Sequence, residues 1–126
     1  MNYSANQNIF TQIADQVCER VLSGQYLPDS RIPSVRDLST EMEVNPNTVM
    51  RSFERLQQHG IIYNKRGIGY FISPEAREKI HELRHFHLIE EVLPSVFREM
   101  SLLGIGLDEV AKAFQTYLST HKNEAS

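Results

Sequence analysis

Ser34-Val35-Arg36-Asp37-Leu38-Ser39-Thr40-Glu41-Met42, followed by Asn45-Pro46-Asn47-Thr48-Val49-Met50-Arg51-Ser52-Phe53-Glu54-Arg55-Leu56, is the stretch on which the fold turns. Ser34 with Asp37 three residues later reads as a capping box. The hydroxyl accepts a free backbone N–H, and the carboxylate suits the positive end of a helix. Val35, Leu38 and Met42 then share one face, and that helix is expected to end before Asn45. Asn45-Pro46 opens a second helix, with Asn as N-cap and Pro at the first helical position, where its missing N–H costs nothing. Val49, Phe53 and Leu56 form the apolar stripe of this second helix, and Gly60 ends it. Two short helices joined by a tight turn make a helix-turn-helix unit.

The flanks complete a larger pattern. Upstream, Ile9, Ile13, Val17 and Val21 recur every four residues, joined by Phe10, Ala14 and Leu22, and Gly24 supplies a stop. Downstream the period changes. Ile61-Ile62-Tyr63 and Tyr70-Phe71-Ile72 flank Asn64-Lys65-Arg66-Gly67-Ile68-Gly69, which reads as a β-hairpin with a basic tip. Helix, helix-turn-helix and hairpin in that order predict a mostly α fold with a small β-hairpin wing. A winged helix-turn-helix DNA-binding domain is expected over residues 1–73.

Residues 74–126 are expected to form a two-helix dimerisation segment. Phe86, Ile89, Leu93, Val96, Met100 and Leu103 are spaced alternately by three and four, a coiled-coil-like seam, and Leu88, Val92 and Phe97 widen its apolar face. A helix from 75 to 102 would run about 40 Å. Pro94 lies inside it and cannot bond to the carbonyl of Glu90, so a kink or a break is expected there. Gly104-Ile105-Gly106 breaks the helix. Leu107 to Tyr117 forms a last one, with Leu107, Val110, Ala111, Phe114 and Leu118 on one side. About fifty residues have too little interior to bury these side chains alone, so pairing of two copies is expected.

The 126 residues carry 13 basic and 16 acidic side chains, a net charge of −3 that, taken as one number, argues against a nucleic-acid partner. Divided along the chain, that argument fails. Residues 1–74 hold seven basic and seven acidic groups, whereas 75–126 hold six and nine. Between Arg31 and Arg66 six basic groups face four acidic ones, so the winged segment is locally basic and the acidity belongs to the C-terminal helices. The second helix of the pair offers Asn47, Thr48, Arg51, Ser52 and Arg55 away from its apolar stripe. Amides and hydroxyls can reach base edges, and arginine can grip guanine or phosphate. Arg36, one turn into the preceding helix, can reach the backbone, while Lys65 and Arg66 at the wing tip can meet phosphate or a minor groove.

Ile32-Pro33-Ser34-Val35-Arg36-Asp37-Leu38-Ser39, Asn45-Pro46-Asn47-Thr48-Val49, Leu56-Gln57-Gln58-His59-Gly60-Ile61-Ile62 and Arg66-Gly67-Ile68-Gly69-Tyr70-Phe71-Ile72 resemble the GntR family of bacterial transcription regulators. The similarity runs in order over residues 9–73, and the Asn-Pro-Asn-Thr-Val string with the short helical tail resembles its YtrA-type subgroup. The resemblance implies a homodimeric repressor on a palindromic operator of double-stranded DNA, often one controlling transporter genes. Arg36 matches the family's DNA-contacting arginine, and Gly67 its wing-turn glycine. Many members carry arginine where this chain has Pro46 and Met50, so Asn47, Thr48 and Arg51 are expected to carry more of the readout. The DNA-binding set is therefore Ser34, Arg36, Asn45, Asn47, Thr48, Arg51, Arg55, Lys65, Arg66 and Gly67. Larger relatives append a metabolite-binding domain, for which the remaining residues offer no recognisable pocket.

One motif points to a rival class. His81-Glu82-Leu83-Arg84-His85 matches H-E-x-x-H, which on a helix can hold zinc with the Glu as base. No glycine and third His follow at the spacing that extends the motif, and Glu90 and Glu99 continue the same helical stretch. A His-rich flank (His81, His85, His87) beside the seam is the plainer reading, with no catalytic residue, metal or cofactor expected. A winged module that binds no DNA is a second alternative. The single Cys18 beside an apolar face reads as a core thiol and fits a reducing cytoplasm. No apolar run approaches a membrane span, and Met1-Asn2-Tyr3-Ser4 lacks the character of a signal peptide.

Overall fold

The computed structural model describes residues 9–122, with side chains described from Gln12 onward. The N-terminal tetrapeptide and the side chains of Ile9 and Phe10 lie outside what is described. Helix α1 (Ile9–Leu22) is followed by α2 (Val35–Met42), α3 (Pro46–Gln58), the strands β1 (Ile62–Lys65) and β2 (Gly69–Ile72), then α4 (Ala76–His87), α5 (Leu93–Leu103) and α6 (Leu107–Thr120).

In the first unit the apolar stripes meet as their spacing requires. Ile13, Val17 and Val21 of α1 are buried against α3, whose Val49, Phe53 and Leu56 are buried in turn, and Leu38 of α2 closes the three-helix core. Ile61, Ile62 and Ile72 seal it from the hairpin side. The strands pair antiparallel with Ile62 opposite Ile72 and Lys65 opposite Gly69. The pairing therefore takes in Asn64, Lys65 and Gly69, which the sequence assigned to the turn. Only Arg66-Gly67-Ile68 remain to connect the strands. Asp29, Ser30 and Ile32 add backbone hydrogen bonds along the free side of β2: Asp29 N–H to Ile72 C=O, Ile72 N–H to Ser30 C=O and Ile32 N–H to Tyr70 C=O. That edge is thus satisfied rather than open.

The chain divides into two compact units between His85 and Phe86, not at 73/74 where the composition shifts. The physical reason is apolar. Ala76 and Ile80 in the first turns of α4 are buried in the core of the first unit, and Leu83 packs against it. Arg77 also donates to the Leu22 carbonyl at 2.8 Å. A count of charges cannot see this, because the same turns carry exposed Glu78 and Lys79.

The second unit contains a π-helical turn over Leu88–Val92, then α5 and α6. Pro94 follows directly, in the first turn of α5, and the Leu93 N–H bonds back to the Leu88 carbonyl, five residues away. The expected break is thus taken up as one widened turn, a known way of accommodating an interrupted bond ladder. Gly104 caps α5, its N–H reaching the carbonyls of Met100 and Ser101. Helix α6 runs three residues further than expected, to Thr120. No residue of α5 or α6 is buried, and the two helices make few contacts with each other.

Candidate nucleic-acid interface

Both helices of the pair start on side-chain caps. Ser34 Oγ accepts the Asp37 N–H at 3.0 Å, and Asn45 Oδ1 accepts the Asn47 N–H at 2.8 Å. These caps fix where α2 and α3 begin, and so which residues stand in their first turns. Val49, Phe53 and Leu56 turn inward on α3, leaving Asn47, Arg51 and Arg55 exposed and Thr48 half-buried. Ser52 departs from the expectation. It is fully buried, and its hydroxyl donates to the Thr48 carbonyl at 3.0 Å. The reason is angular: Ser52 lies three residues after Val49 and four before Leu56, inside the stripe. Arg36 is exposed on α2, its carbonyl accepting the hydroxyls of Ser39 and Thr40 at 2.8 and 3.1 Å.

The wing turn is closed by the Ile68 N–H on the Lys65 carbonyl at 2.9 Å, with Gly67 at φ +80°. A side chain is strained at that angle, which explains the glycine. Gly69 sits at φ +146°, and a Cβ there would lie 2.9 Å from Arg31 Nε, so the missing side chain lets Arg31 lie along the wing. Tyr63 and Phe71 stack with ring centroids 5.7 Å apart, and Lys65 Nζ stands 4.5 Å above the Phe71 ring. The Tyr63 hydroxyl donates to Asp29 at 2.9 Å, which pushes the phenol's pKa up. Neither contact was visible in the sequence, because strand register had to bring the rings together first.

Two arginines of the first unit are held in ion pairs. Arg20 is bound to Glu41 at 2.6 Å and to the Tyr26 hydroxyl at 2.7 Å, and Arg84 to Glu19 at 2.8 Å. Among the described residues, Arg36, Arg51, Arg55, Lys65 and Arg66 enter no ion pair. Arg31, Lys79, Arg98 and Lys112 likewise enter none, and Lys65 stands over the Phe71 ring. The helix-turn-helix and the wing tip thus combine unpaired cations with two short amide and hydroxyl side chains, the chemistry that grips phosphate and reads base edges.

The family model described as bacterial regulatory proteins, gntR family, matches residues 10–72. This chain belongs to the GntR family. It is 34% identical over 115 residues to the uncharacterized HTH-type transcriptional regulator YhcF of Bacillus subtilis, covering 91% of this chain and 93% of that one. It is also 34% identical to the HTH-type transcriptional repressor YtrA of the same organism, over 81% of this chain and 78% of the relative, which supports the YtrA-type subgroup. The crystal structure of a GntR-family regulator from Bacteroides thetaiotaomicron is similar at a TM-score of 0.79 and 43% identity, covering 90% of this chain and 98% of that one. The GntR chain is therefore a transcription regulator with a DNA-binding domain, not an enzyme.

The H-E-x-x-H match has a plain geometry in this GntR protein. His81, Glu82 and His85 are all exposed on α4, and the two imidazoles stack one turn apart with centroids 6.4 Å from each other. Among the described residues no group of three or more His, Cys, Asp or Glu is placed so that it could hold a metal ion. Of the expected seam, Phe86, Ile89 and Leu103 are exposed, at 60%, 42% and 69%, while Leu93, Val96 and Met100 are half-buried. No helix among the described residues is long and apolar enough to cross a membrane.

Proposed function

We propose that the protein is a homodimeric repressor that works in the cytoplasm on a palindromic operator. Each protomer lays α3 in a major groove, so that Asn47, Thr48 and Arg51 read base edges while Ser34, Arg36, Asn45 and Arg55 hold the backbone. Lys65, Arg66 and Gly67 of the wing follow the neighbouring phosphates or minor groove. The observation that carries this reading is the capped helix pair, which leaves Asn47, Arg51 and Arg55 of α3 and Arg36 of α2 exposed, with no carboxylate paired to any of the three arginines. The similarity to the transcriptional repressor YtrA of Bacillus subtilis supports the direction of control.

The exposed apolar side chains of the second unit support pairing. Phe86, Ile89, Leu93, Val96, Met100 and Leu103 form the seam against a second copy: Phe86, Ile89 and Leu103 are exposed, the other three are half-buried, and exposed Leu88, Phe97 and Leu102 extend the apolar patch. A homodimer then presents two copies of α3, and two-fold symmetry in the protein calls for a palindrome in the DNA. Fragments selected by the protein from genomic DNA supply the operator. Arg51→Ala and Arg36→Ala each weaken binding to it by about 1–3 kcal/mol with no loss of thermal stability. Wild-type affinity in both variants defeats the docking.

A further inference from the structure

Met50 is the odd member of its surface. Asn47, Met50, Arg51 and Glu54 recur at the spacing that puts them on one side of α3, and Met50 is 37% exposed among polar neighbours. It is not loose. The Tyr70 hydroxyl donates to its sulfur at 3.8 Å, and the Tyr70 ring is itself seated edge-on against fully buried Phe53, with centroids 4.9 Å apart. A residue of the wing thus steadies a thioether on the reading helix.

From this arrangement we infer that Met50 is a specificity-determining residue that reads the C5-methyl group of a thymine in the major groove. The inference rests on the docking of α3 proposed above. A thioether gains nothing from a phosphate and has no N–H or O–H to give to guanine or adenine. The thymine methyl is the one apolar group that base pairs present in the major groove. Cytosine in the same place offers no methyl and leaves its N4 donor against sulfur and carbon, where it lacks a good partner. Tyr70 acts as a positioning residue, since it fixes the sulfur without facing the base.

The test uses the full-length protein and a duplex recovered by selection from random-sequence DNA. Each thymine of the half-site is replaced singly by deoxyuridine, which removes only the methyl. One position is expected to weaken wild-type binding about four-fold, the worth of one methyl group taken from water. That loss disappears in Met50→Ala and shrinks in Tyr70→Phe, which keeps the ring on Phe53. If no deoxyuridine alters wild-type binding, or if the loss persists undiminished in Met50→Ala, the assignment of Met50 is overturned. An unchanged loss in Tyr70→Phe overturns the positioning role. Asn47→Ala and Arg51→Ala separate the two levels. Weakened binding in these variants beside a silent deoxyuridine series condemns Met50 alone, whereas wild-type affinity in both condemns the docking of α3 and the inference with it.

Discussion

Cys18 shows how burial rewrites the chemistry of a single side chain. It sits in the core between Val17 and the turns that follow, and desolvation of the thiolate pushes its pKa up to about 11. The folded state therefore holds the proton that an unfolded chain gives up near the ordinary thiol value of 9.0. Stability carried by this group is complete below that value and is lost as pH rises from about 9 to about 11, to the extent of about 2–3 kcal/mol. Denaturant midpoints measured across this range fall further for the wild type than for Cys18→Ala, and equal slopes defeat the assignment. The same burial is expected to slow alkylation of the thiol at pH 8 in the folded protein relative to the unfolded chain. Ser52 teaches the complementary point. The sequence reads its hydroxyl as part of the polar face of α3, yet the bond to the Thr48 carbonyl lets it sit inside the core.

Among the elements, α2 carries an unusual ending. Glu43 adopts φ +56° and closes the helix, with the Val44 N–H on the Ser39 carbonyl at 3.0 Å. Left-handed backbone is strained for any residue with a Cβ, by about 1–2 kcal/mol. Glu43→Gly relieves that strain and is expected to raise the stability of the first unit by about 1 kcal/mol, read as an upward shift of the thermal midpoint. An unchanged or lowered midpoint contradicts the cap. The three-residue turn between α2 and α3 depends on this geometry and on the Asn45 cap, and the turn in turn sets the direction of α3. The wing shows the limit of composition. Glycines mark a turn somewhere in 64–69, but the register of Lys65 on Gly69 decides that Lys65 is a strand residue whose amine stands over Phe71.

Taken whole, the molecule couples a closed unit to an open one. The first buries Phe53, Leu38, Ile61, Ile62, Ile72 and Ile80 almost completely, while the second buries no residue of α5 or α6. On the proposed dimer, Leu93→Asp introduces a charge into the seam without touching the first core. We expect that variant to keep its helical content, sediment as a monomer and bind operator weakly, because two linked half-sites become two separate ones. Sedimentation as a dimer rules out the seam at Leu93. The net charge of −3 belongs to this level too, as an average over a neutral reader and an acidic helical segment.

Local periodicity, caps and turn glycines determined by themselves the order of helix, helix-turn-helix and wing, because each depends on residues a few positions apart. They also determined the free face of α3, apart from Ser52. What only the tertiary structure decided involves contacts across the chain: the burial of Ala76 and Ile80 that draws α4 into the first unit, and the seating of Tyr70 between Phe53 and Met50. The absorption of Pro94 after a π turn belongs with them. Such choices turn on which of several permissible packings removes more apolar surface from water, and that depends on residues far apart in the chain.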